Sequence, residues 1–378
     1  MLTRVRSNVI RLTAVLALLF VGAVAWSAEE LPTRLSDEAF WKLVTDFSEP
    51  GGSFYNGNIV SNELAFQEVL ADLTAGRQPG GVYLGVGPEQ NFTYIAALKP
   101  KIAFIFDIRR QNMIEHLMYK ALFELSMDRA DFLSRLLSRP RPADVDKDTN
   151  VTALFEAFRQ TPAESGLYDE NLRAIKEQLI EKHGFLLTPD DENSIMSILT
   201  AFYIAGVDLT YAGPRTATTV MPSYEQLMTD TDNNGRHRSY LATEDNFLAL
   251  QQFEKNNLLV PIVGDFGGPT AIRSVGAYLK EHNAIVTAFY TSNVEQYLFM
   301  NDGWTKFYAN VSALPLDSKS VFIRPLMNVG TGAYSASPVL QRGARFWWDT
   351  KLFSIADLVD AFNAGMIQRY YDILGMPN

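Results

Sequence analysis

Two glycines and one aspartate are the residues whose spacing in this sequence could position a small-molecule ligand. Gly85 and Gly87 end an apolar run that begins at Val82, and Asp107 closes a second apolar run, Ile102 to Phe106. Glycine allows a sharp turn and lets a ligand approach the backbone. A carboxylate about 20 residues after such glycines accepts hydrogen bonds from a ribose in nucleotide-binding βαβ units. The spacing predicts a nucleoside site; the alternative is a βαβ unit with a tight turn and no ligand.

The residues between these groups have the composition of a helix between two buried strands. Pro88 suits the first turn of a helix, where its missing N–H would be unpaired in any case. Residues 89–98 are compatible with a helix, and Pro100 ends it. Backbone N–H groups at the start of that helix would attract polar or anionic ligand groups. Gln90 takes the sixth position of the dinucleotide fingerprint, where glycine or alanine is usual, which counts against a nicotinamide dinucleotide.

The same alternation of strands and helices returns near the C-terminus. Further strands are predicted at 258–263, 284–290 and 321–323, with helices at 270–279 and from Val294 onwards, and a last helix from a capping box at Ser354 to Leu374. Residues about 113–255 are predicted to be a large helical insertion, without strands. Strands that alternate with helices form a mostly parallel sheet covered on both faces. The predicted fold is therefore α/β, a doubly wound, Rossmann-like sheet.

Several polar residues follow the predicted strands. Ligands of such sheets bind beyond the carboxyl ends of the strands. We therefore expect one crevice to be lined by Gly85, Asp107, Asp265, Phe266 and the segment from Tyr290 to Asn293. Upstream, residues 58–73 are predicted to be a helix with Ser61 and Glu63 as capping groups. The alternative is that the turn at 61–63 closes over the ligand.

Composition limits the classes of function. The chain has 378 residues, of which 47% are hydrophobic and 20% charged, so it is expected to be globular. Its 33 basic and 43 acidic residues give a formal net charge of -10, which argues against general nucleic-acid binding. We expect a single α/β domain over residues 28–378, with the helical insertion inside it.

The first 27 residues have the pattern of a secretion signal. Arg4, Arg6 and Arg11 flank an apolar core at 12–25 that is short for an ordinary membrane span. Small residues at 23–27 offer cleavage positions. The pattern predicts a periplasmic or secreted protein with no stable membrane span after cleavage; the alternative is an anchor that stays uncleaved. The chain has no cysteine, which excludes disulfides, thiolate catalysis and lipid attachment to cysteine.

Other catalytic patterns are missing from the sequence. The four histidines, His116, His183, His237 and His282, do not have the spacing of metal ligands. The loop at 230–235 resembles the start of a calcium loop, but its twelfth position is Leu241, where the bidentate glutamate should stand. Neither a G-x-S-x-G elbow nor a G-K-[ST] phosphate loop occurs. No metal is predicted, and a hydrolase or a nucleotide triphosphatase is disfavoured.

Residues 80–112 and 258–325 resemble the class I S-adenosylmethionine-dependent methyltransferases. Gly85 and Gly87 match the glycines of the cofactor loop, with Glu89 where a third glycine is common and Tyr83 where an acid is usual. Asp107 matches the acid that holds the ribose. Further matches are Asp265 and Phe266, the acid–apolar pair at the adenine, and Tyr290, Thr291 and Asn293, at the place of the substrate.

The resemblance implies an S-adenosylmethionine-binding, methyltransferase-like protein with an unknown acceptor. Methyl transfer needs alignment and a shaped electrostatic field rather than a covalent nucleophile or a metal. The resemblance does not identify a catalytic residue, and it leaves open whether the chain catalyses a reaction. Two alternatives remain at this point. One is a non-catalytic secreted binding protein that kept the fold, and the other is a nicotinamide-dependent oxidoreductase.

Overall fold

A six-stranded sheet forms the centre of the molecule in this computed structural model, which describes residues 30–54, 57–214, 221–329 and 346–375. The strands are β1 (Val82–Val86), β2 (Ile102–Asp107), β3 (Leu209–Thr210), β4 (Gly213–Pro214), β5 (Leu259–Val263), β6 (Val286–Tyr290), β7 (Val321–Val329) and β8 (Phe346–Ser354). The main sheet has the order β5-β2-β1-β6-β7-β8, while β3 and β4 form a small separate hairpin.

Helices pack around this sheet and build the insertion. Those in the described part of the chain are α1 (Asp37–Asp46), α2 (Leu70–Thr74), α3 (Gln90–Leu98), α4 (Arg110–Leu125), α5 (Arg129–Leu137), α6 (Val151–Gln160), α7 (Ser165–Lys176), α8 (Pro189–Ala205), α9 (Tyr224–Thr229), α10 (Glu244–Lys255), α11 (Ala271–Glu281), α12 (Val294–Met300), α13 (Trp304–Val311), α14 (Ile355–Asn363) and α15 (Tyr370–Leu374). A π-helical turn, Glu177–Lys182, extends α7.

The strand pairing confirms the predicted α/β fold with a mostly parallel, Rossmann-like sheet. The pairs β5–β2, β2–β1, β1–β6 and β6–β7 are parallel, and only β8 runs antiparallel, on β7. The chain builds outward from β1 through β2 to β5 and then crosses to β6 on the other side of β1. The strand order therefore reverses between β1 and β6, the position where ligands bind in open α/β sheets.

The local sequence explains why these elements form. Every residue of β1 and β2 is buried, as expected for central parallel strands covered on both faces. Lys99 ends α3 in the left-handed conformation, one residue before Pro100. The helices of the insertion run from α5 to α10, so the prediction of a helical block between two α/β segments agrees with the structure.

Three predictions about elements were wrong, and one strand was missed. Residues 58–73 are not one helix: Asn58 has a positive φ, and only a 3₁₀ turn at Leu64–Gln67 and the short α2 are helical. The insertion contains the β3–β4 hairpin. The antiparallel strand β8 was not predicted. Ser354 caps α14 as expected, but the helix ends at Asn363, before Gly365 turns with a φ of +71° and a separate helix α15 follows.

The predicted signal sequence at 1–27 lies outside the described residues, which begin at residue 30. Among the helices that the structure describes, none combines the length and the apolar character needed to cross a bilayer.

Candidate functional site at the carboxyl ends of the strands

The predicted site residues do lie along one edge of the sheet. Val86 pairs with Phe106, so the glycine loop after β1 and Asp107 at the end of β2 are neighbours. Asp107 pairs in turn with Val263, which places Asp265 just beyond the next strand end. Tyr290 ends β6 on the other side of β1. The structure thus brings these groups to the same edge, and their roles toward a ligand stay predictions.

The space in front of Gly85 is occupied by Asn91 from the first turn of α3. The Asn91 amide nitrogen donates to the carbonyls of Val86 (2.9 Å), Gly87 (3.2 Å) and Pro88 (2.8 Å), and Tyr83 Oη donates to Asn91 Oδ1 over 2.8 Å. The glycine loop is therefore folded around a side chain of its own helix. Gly87 has a φ of +76°, so glycine is also required there for the turn.

Gly85→Ala is expected to destabilise the fold. A Cβ at this position would overlap Asn91 Oδ1 and lie 2.9 Å from Tyr83 Cε1, so the buried amide would have to move. Overpacking of this kind costs about 1–3 kcal/mol. Urea unfolding measures the loss, and Gly166→Ala, where an added Cβ meets nothing within 4 Å, is the control. Equal stabilities of the two variants would contradict the tight packing at Gly85.

Asp107 is held by Arg109 in a buried, two-pronged ion pair. Arg109 Nη2 lies 2.9 Å from Asp107 Oδ2, while Arg109 Nε and its backbone N donate to Oδ1 over 3.1 and 2.8 Å. A further nitrogen, Arg109 Nη1, donates to the carbonyl of Gly57. Both side chains are less than 10% exposed. The carboxylate predicted to hold a ribose therefore has both oxygens engaged by a residue two positions away.

Glu49 occupies the corresponding place beyond β5. Its carboxylate accepts hydrogen bonds from the backbone N–H groups of Thr270 (2.7 Å) and Ala271 (2.9 Å) at the start of α11, and from that of Asp265 (3.3 Å). A helix N-terminus favours an anion, and here the chain supplies it. Asp265 itself is exposed, and its Oδ1 accepts the N–H of Gly267.

Phe266 is part of the core. It is 3% exposed and stacks on Phe307, with ring centroids 5.1 Å apart, and it contacts Phe106 and Phe289 edge-on or tilted. A ring enclosed by three others contributes to packing, and an adenine would have to displace one of them.

Beyond β6, a buried carboxylate from far upstream meets the predicted substrate segment. Tyr290 Oη donates to Glu63 Oε2 over 2.6 Å, and Ser292 Oγ donates to Glu63 Oε1 over 2.5 Å. Gln90 Nε2 adds a third hydrogen bond, of 3.2 Å. Ser292 has a φ of +48°, unusual for a residue that is not glycine. Burial raises the pKa of Glu63, although these three donors oppose that shift.

Thr291 and Asn293 are placed differently. Thr291 is buried and donates to Glu295 Oε2 over 3.2 Å. Asn293 is half-buried at the N-terminal end of α12. The substrate segment therefore splits between two buried carboxylates.

One stretch of chain covers all four of these strand ends. We call residues 49–54 and 57–63 the strap. Its contacts begin at β5, where Glu49 N donates to Val263 O, and continue at β2, where Gly52 N donates to Ile108 O, each over 2.7 Å. They continue at Glu89 after β1, whose two oxygens accept from Ser61 N over 3.2 Å, and end at Glu63 after β6. The turn at 61–63 thus lies over the strand ends, and its closure over a ligand stays a prediction.

A buried polar stripe on α4 lies behind the glycine loop. In the described part of the chain, four of its atoms have no hydrogen-bond partner, and all four residues are at most 1% exposed: Asn112 Nδ2, Glu115 Oε1, His116 Nδ1 and Tyr119 Oη. Burial lowers the pKa of His116 to about 4, and its Nε2 lies 2.9 Å from Gly87 O. Burial and the neighbouring Glu89 raise the pKa of Glu115 well above its usual range.

Glu89 is expected to make the stability of the fold fall as the pH rises. Burial raises its pKa from 4.5 to about 8, against the opposing hydrogen bond from Ser61 N. Between pH 4.5 and 8 the folded state therefore holds a proton that the unfolded state has lost, so stability decreases by up to about 1.4 kcal/mol per pH unit. Denaturation from pH 5 to pH 8.5 should show a shallower decline for Glu89→Gln than for the parent. Parallel curves would contradict this assignment.

Sequence reasoning missed Glu49, Asn91 and Arg109 as partners of the predicted site, and it named Glu63 only as a capping group or as part of a turn over a ligand. Arg109 and Asn91 carried a local signal: Arg109 follows Asp107 by two positions, and Asn91 lies two residues after Glu89. The pairing of Glu49 with Thr270 and that of Glu63 with Tyr290 carried none, because each pair is more than 200 residues apart in the sequence. Among the described residues, no group of three or more His, Asp or Glu side chains could hold a metal ion.

S-adenosylmethionine does not fit the crevice in this conformation. Asn91 fills the turn at Gly85, Arg109 covers the Asp107 carboxylate, and Phe307 covers Phe266. A nucleoside would need the strap to move and Arg109 to release Asp107.

The fold and this edge define the chain as a Rossmann-like α/β protein whose strand-end crevice is closed by its own N-terminal segment. The chain belongs to the family described as a domain of unknown function, DUF7790, whose model matches residues 58–348, well over half of its length. No curated protein matches the chain.

Proposed function

We propose that this chain is a non-catalytic binding protein that kept a methyltransferase-like fold, with the strap in the place of the nucleoside. The observation that carries the proposal is the internal pairing of the Asp107 carboxylate and of the helix N-terminus beyond β5, although Asp265 stays exposed. Arg109 takes the position of a ribose on Asp107, and the Glu49 carboxylate takes the position of an anion at the N-terminus of α11. Buried polar groups that already have partners gain little from a ligand that must displace those partners.

The proposal predicts that nucleosides do not bind. Titration of the chain with S-adenosylmethionine, adenosine and NAD is expected to give no saturable heat, and the midpoint of thermal unfolding should stay unchanged. A ligand at 100 times its Kd would stabilise the fold by about 2.7 kcal/mol, a shift of several degrees. Saturable binding of any of these three compounds would overturn the proposal that the strap takes the place of a nucleoside.

The second candidate is an S-adenosylmethionine-binding, methyltransferase-like protein. It is favoured by the glycine loop at the end of β1, where the strand order reverses, with Asp107 beside it at the end of β2. The unpartnered polar atoms on α4 beside that loop also favour it. Once Arg109 has moved, the protein groups that would contact the cofactor are the Asp107 carboxylate and the backbone of the glycine loop.

Two readouts distinguish this candidate from the first. S-adenosylmethionine should bind, and hydrogen exchange in the strap should change on binding, because the strap must leave the strand ends. Glu281→Gln, at an exposed glutamate outside the predicted site, is the control for Asp107→Asn. If both variants bind like the parent, Asp107 does not hold a ribose.

A nicotinamide-dependent oxidoreductase is the weakest of the three alternatives. Dinucleotide-binding sheets are built from two βαβαβ halves, with a sixth parallel strand at the edge. Here the antiparallel β8 stands beside β7 at that edge. Binding of NAD in preference to S-adenosylmethionine would reverse this ranking.

A further inference from the structure

A second cluster of charged groups lies away from the strand ends, where α1 meets α4 and the π-helical turn of the insertion. His183 Nε2 lies 2.6 Å from Glu124 Oε2 on α4, and His183 Nδ1 lies 2.9 Å from Asp37 Oδ1, in the first turn of α1. One imidazole thus contacts two carboxylates from different elements. The π-helical turn ends immediately before His183, and such widened turns are frequent at functional positions.

The surroundings hold both carboxylates in place. Glu124 also accepts hydrogen bonds from Lys120 Nζ and Gln178 Nε2, each over 2.7 Å, and Asn257 Nδ2 donates to Asp37 over 2.8 Å. The His183 ring stacks on Phe185, which stacks on Trp41 of α1 with a centroid distance of 4.9 Å. The position of His183 is therefore coupled to the seating of α1.

The cluster borders a pocket of about 430 Å³. His183 and Glu124 line this pocket together with Arg34 and Lys255, which are exposed on its rim. The charged groups that face the imidazole are therefore Asp37 from α1, Glu124 and Lys120 from α4, Arg34 before α1, and Lys255 from α10. Glu254 of α10 lies behind Lys120, which donates to its carbonyl.

The end of α1 is also the start of the strap. Val263 N donates to Ser48 Oγ over 3.0 Å, and Glu49 N donates to Val263 O over 2.7 Å. Only residue 47 separates the last residue of α1 from this pair. A displacement of α1 would therefore act directly on the strap where it meets β5.

We propose that His183, Glu124 and Asp37 form a proton-sensitive clamp that fastens α1, and through it the first residues of the strap, to the helical insertion. The protonated imidazole donates from Nε2 to Glu124, and its charged Nδ1 side lies at ion-pair distance from Asp37, without hydrogen-bond geometry. The neutral ring has one N–H, so one carboxylate then faces a lone pair. Asp37 is 41% exposed and Glu124 7%, so the contact to Asp37 is the one that solvent can replace.

The pKa shifts of His183 and Glu124 agree with this geometry. Burial alone would lower the pKa of His183, but its contacts with Glu124 and Asp37 outweigh burial and raise it above 6.5. Burial likewise opposes ionisation of Glu124, yet His183 and Lys120 lower its pKa to about 2. The contribution of the clamp to stability is therefore complete below pH 6.5 and is lost as the pH rises through the higher pKa of folded His183.

A single introduced cysteine tests the clamp, because the chain has none of its own. Val44 is 1% exposed on α1, so the thiol of Val44→Cys reacts with a maleimide only when α1 lifts. The labelling rate is compared between this variant and Val44→Cys/His183→Gln at each pH, which cancels the intrinsic pH dependence of the thiol. We expect roughly tenfold faster labelling with glutamine at pH 6 and nearly equal rates at pH 8.5.

Two further measurements guard this result. Hydrogen exchange of the peptide spanning α1, in wild type and His183→Gln, gives the same comparison without the cysteine. His237→Gln, at an exposed histidine of the insertion, is the matched control and should leave both readouts unchanged. A ratio that does not vary between pH 6 and pH 8.5, or equal protection of α1 with and without His183, would overturn the proposal.

Discussion

Replacing Asp107 by alanine is expected to lower the free energy of unfolding by about 3–5 kcal/mol. The substitution leaves the Arg109 guanidinium, 6% exposed, buried without the carboxylate that receives two of its nitrogens. It also loosens the nitrogen that holds Gly57 of the strap. Urea denaturation monitored by tryptophan fluorescence measures this loss of stability. The ion pair is internal and should break when the core unfolds, so its loss should appear in the global unfolding transition.

Two variants control this experiment. Asp265→Ala removes an exposed carboxylate from the same edge and should cost less than about 1 kcal/mol. The double variant Asp107→Ala/Arg109→Ala removes the uncompensated charge, so its loss should be smaller than the sum of the two single losses. If Asp107→Ala is as stable as Asp265→Ala, the ion pair does not seal this strand end.

The second large effect is expected at Glu295, the other carboxylate beneath the substrate segment. Arg324 donates to it through Nε (2.5 Å) and Nη2 (2.7 Å), and Tyr308 Oη donates over 2.6 Å. Arg324 is 2% exposed. Glu295→Ala therefore strands a buried guanidinium and should destabilise the fold by about 3–5 kcal/mol in the same denaturation assay.

Part of the Arg324 environment survives that substitution. Its guanidinium lies 4.4 Å from the ring centroid of Phe322 and 5.0 Å from that of Phe353, and these contacts persist without Glu295. Glu295→Gln/Arg324→Met, which removes both charges, should recover most of the loss. Glu281→Ala, at an exposed glutamate, is the surface control. A double variant no more stable than Glu295→Ala would show that the lost charge pair is not the cause.

Much of the fold follows from local patterns. The runs at β1, β2, β5 and β6 are short, apolar and separated by helical segments, so their strand type and parallel pairing could be predicted. Strand β8 could not, because its nine-residue pairing with β7 depends on a partner that only the folded sheet provides. The helix predicted over 58–73 failed for a similar reason. Its first residues serve as the strap, and their contacts with the strand ends outweigh helix propensity.

The sequence by itself determined that a glycine turn and an aspartate stand at the ends of neighbouring central strands, since the βαβ spacing leaves few other arrangements. Only the tertiary structure decided what those groups contact. Asn91 and Arg109 contact them from nearby in the sequence. Glu49 and Glu63 reach the ends of β5 and β6 across separations of up to 229 residues, and hydrogen bonds over such distances leave no periodic trace in a sequence. Whether a strand-end crevice is open or filled depends on side-chain packing, because one amide or guanidinium occupies the space that a ligand group would need.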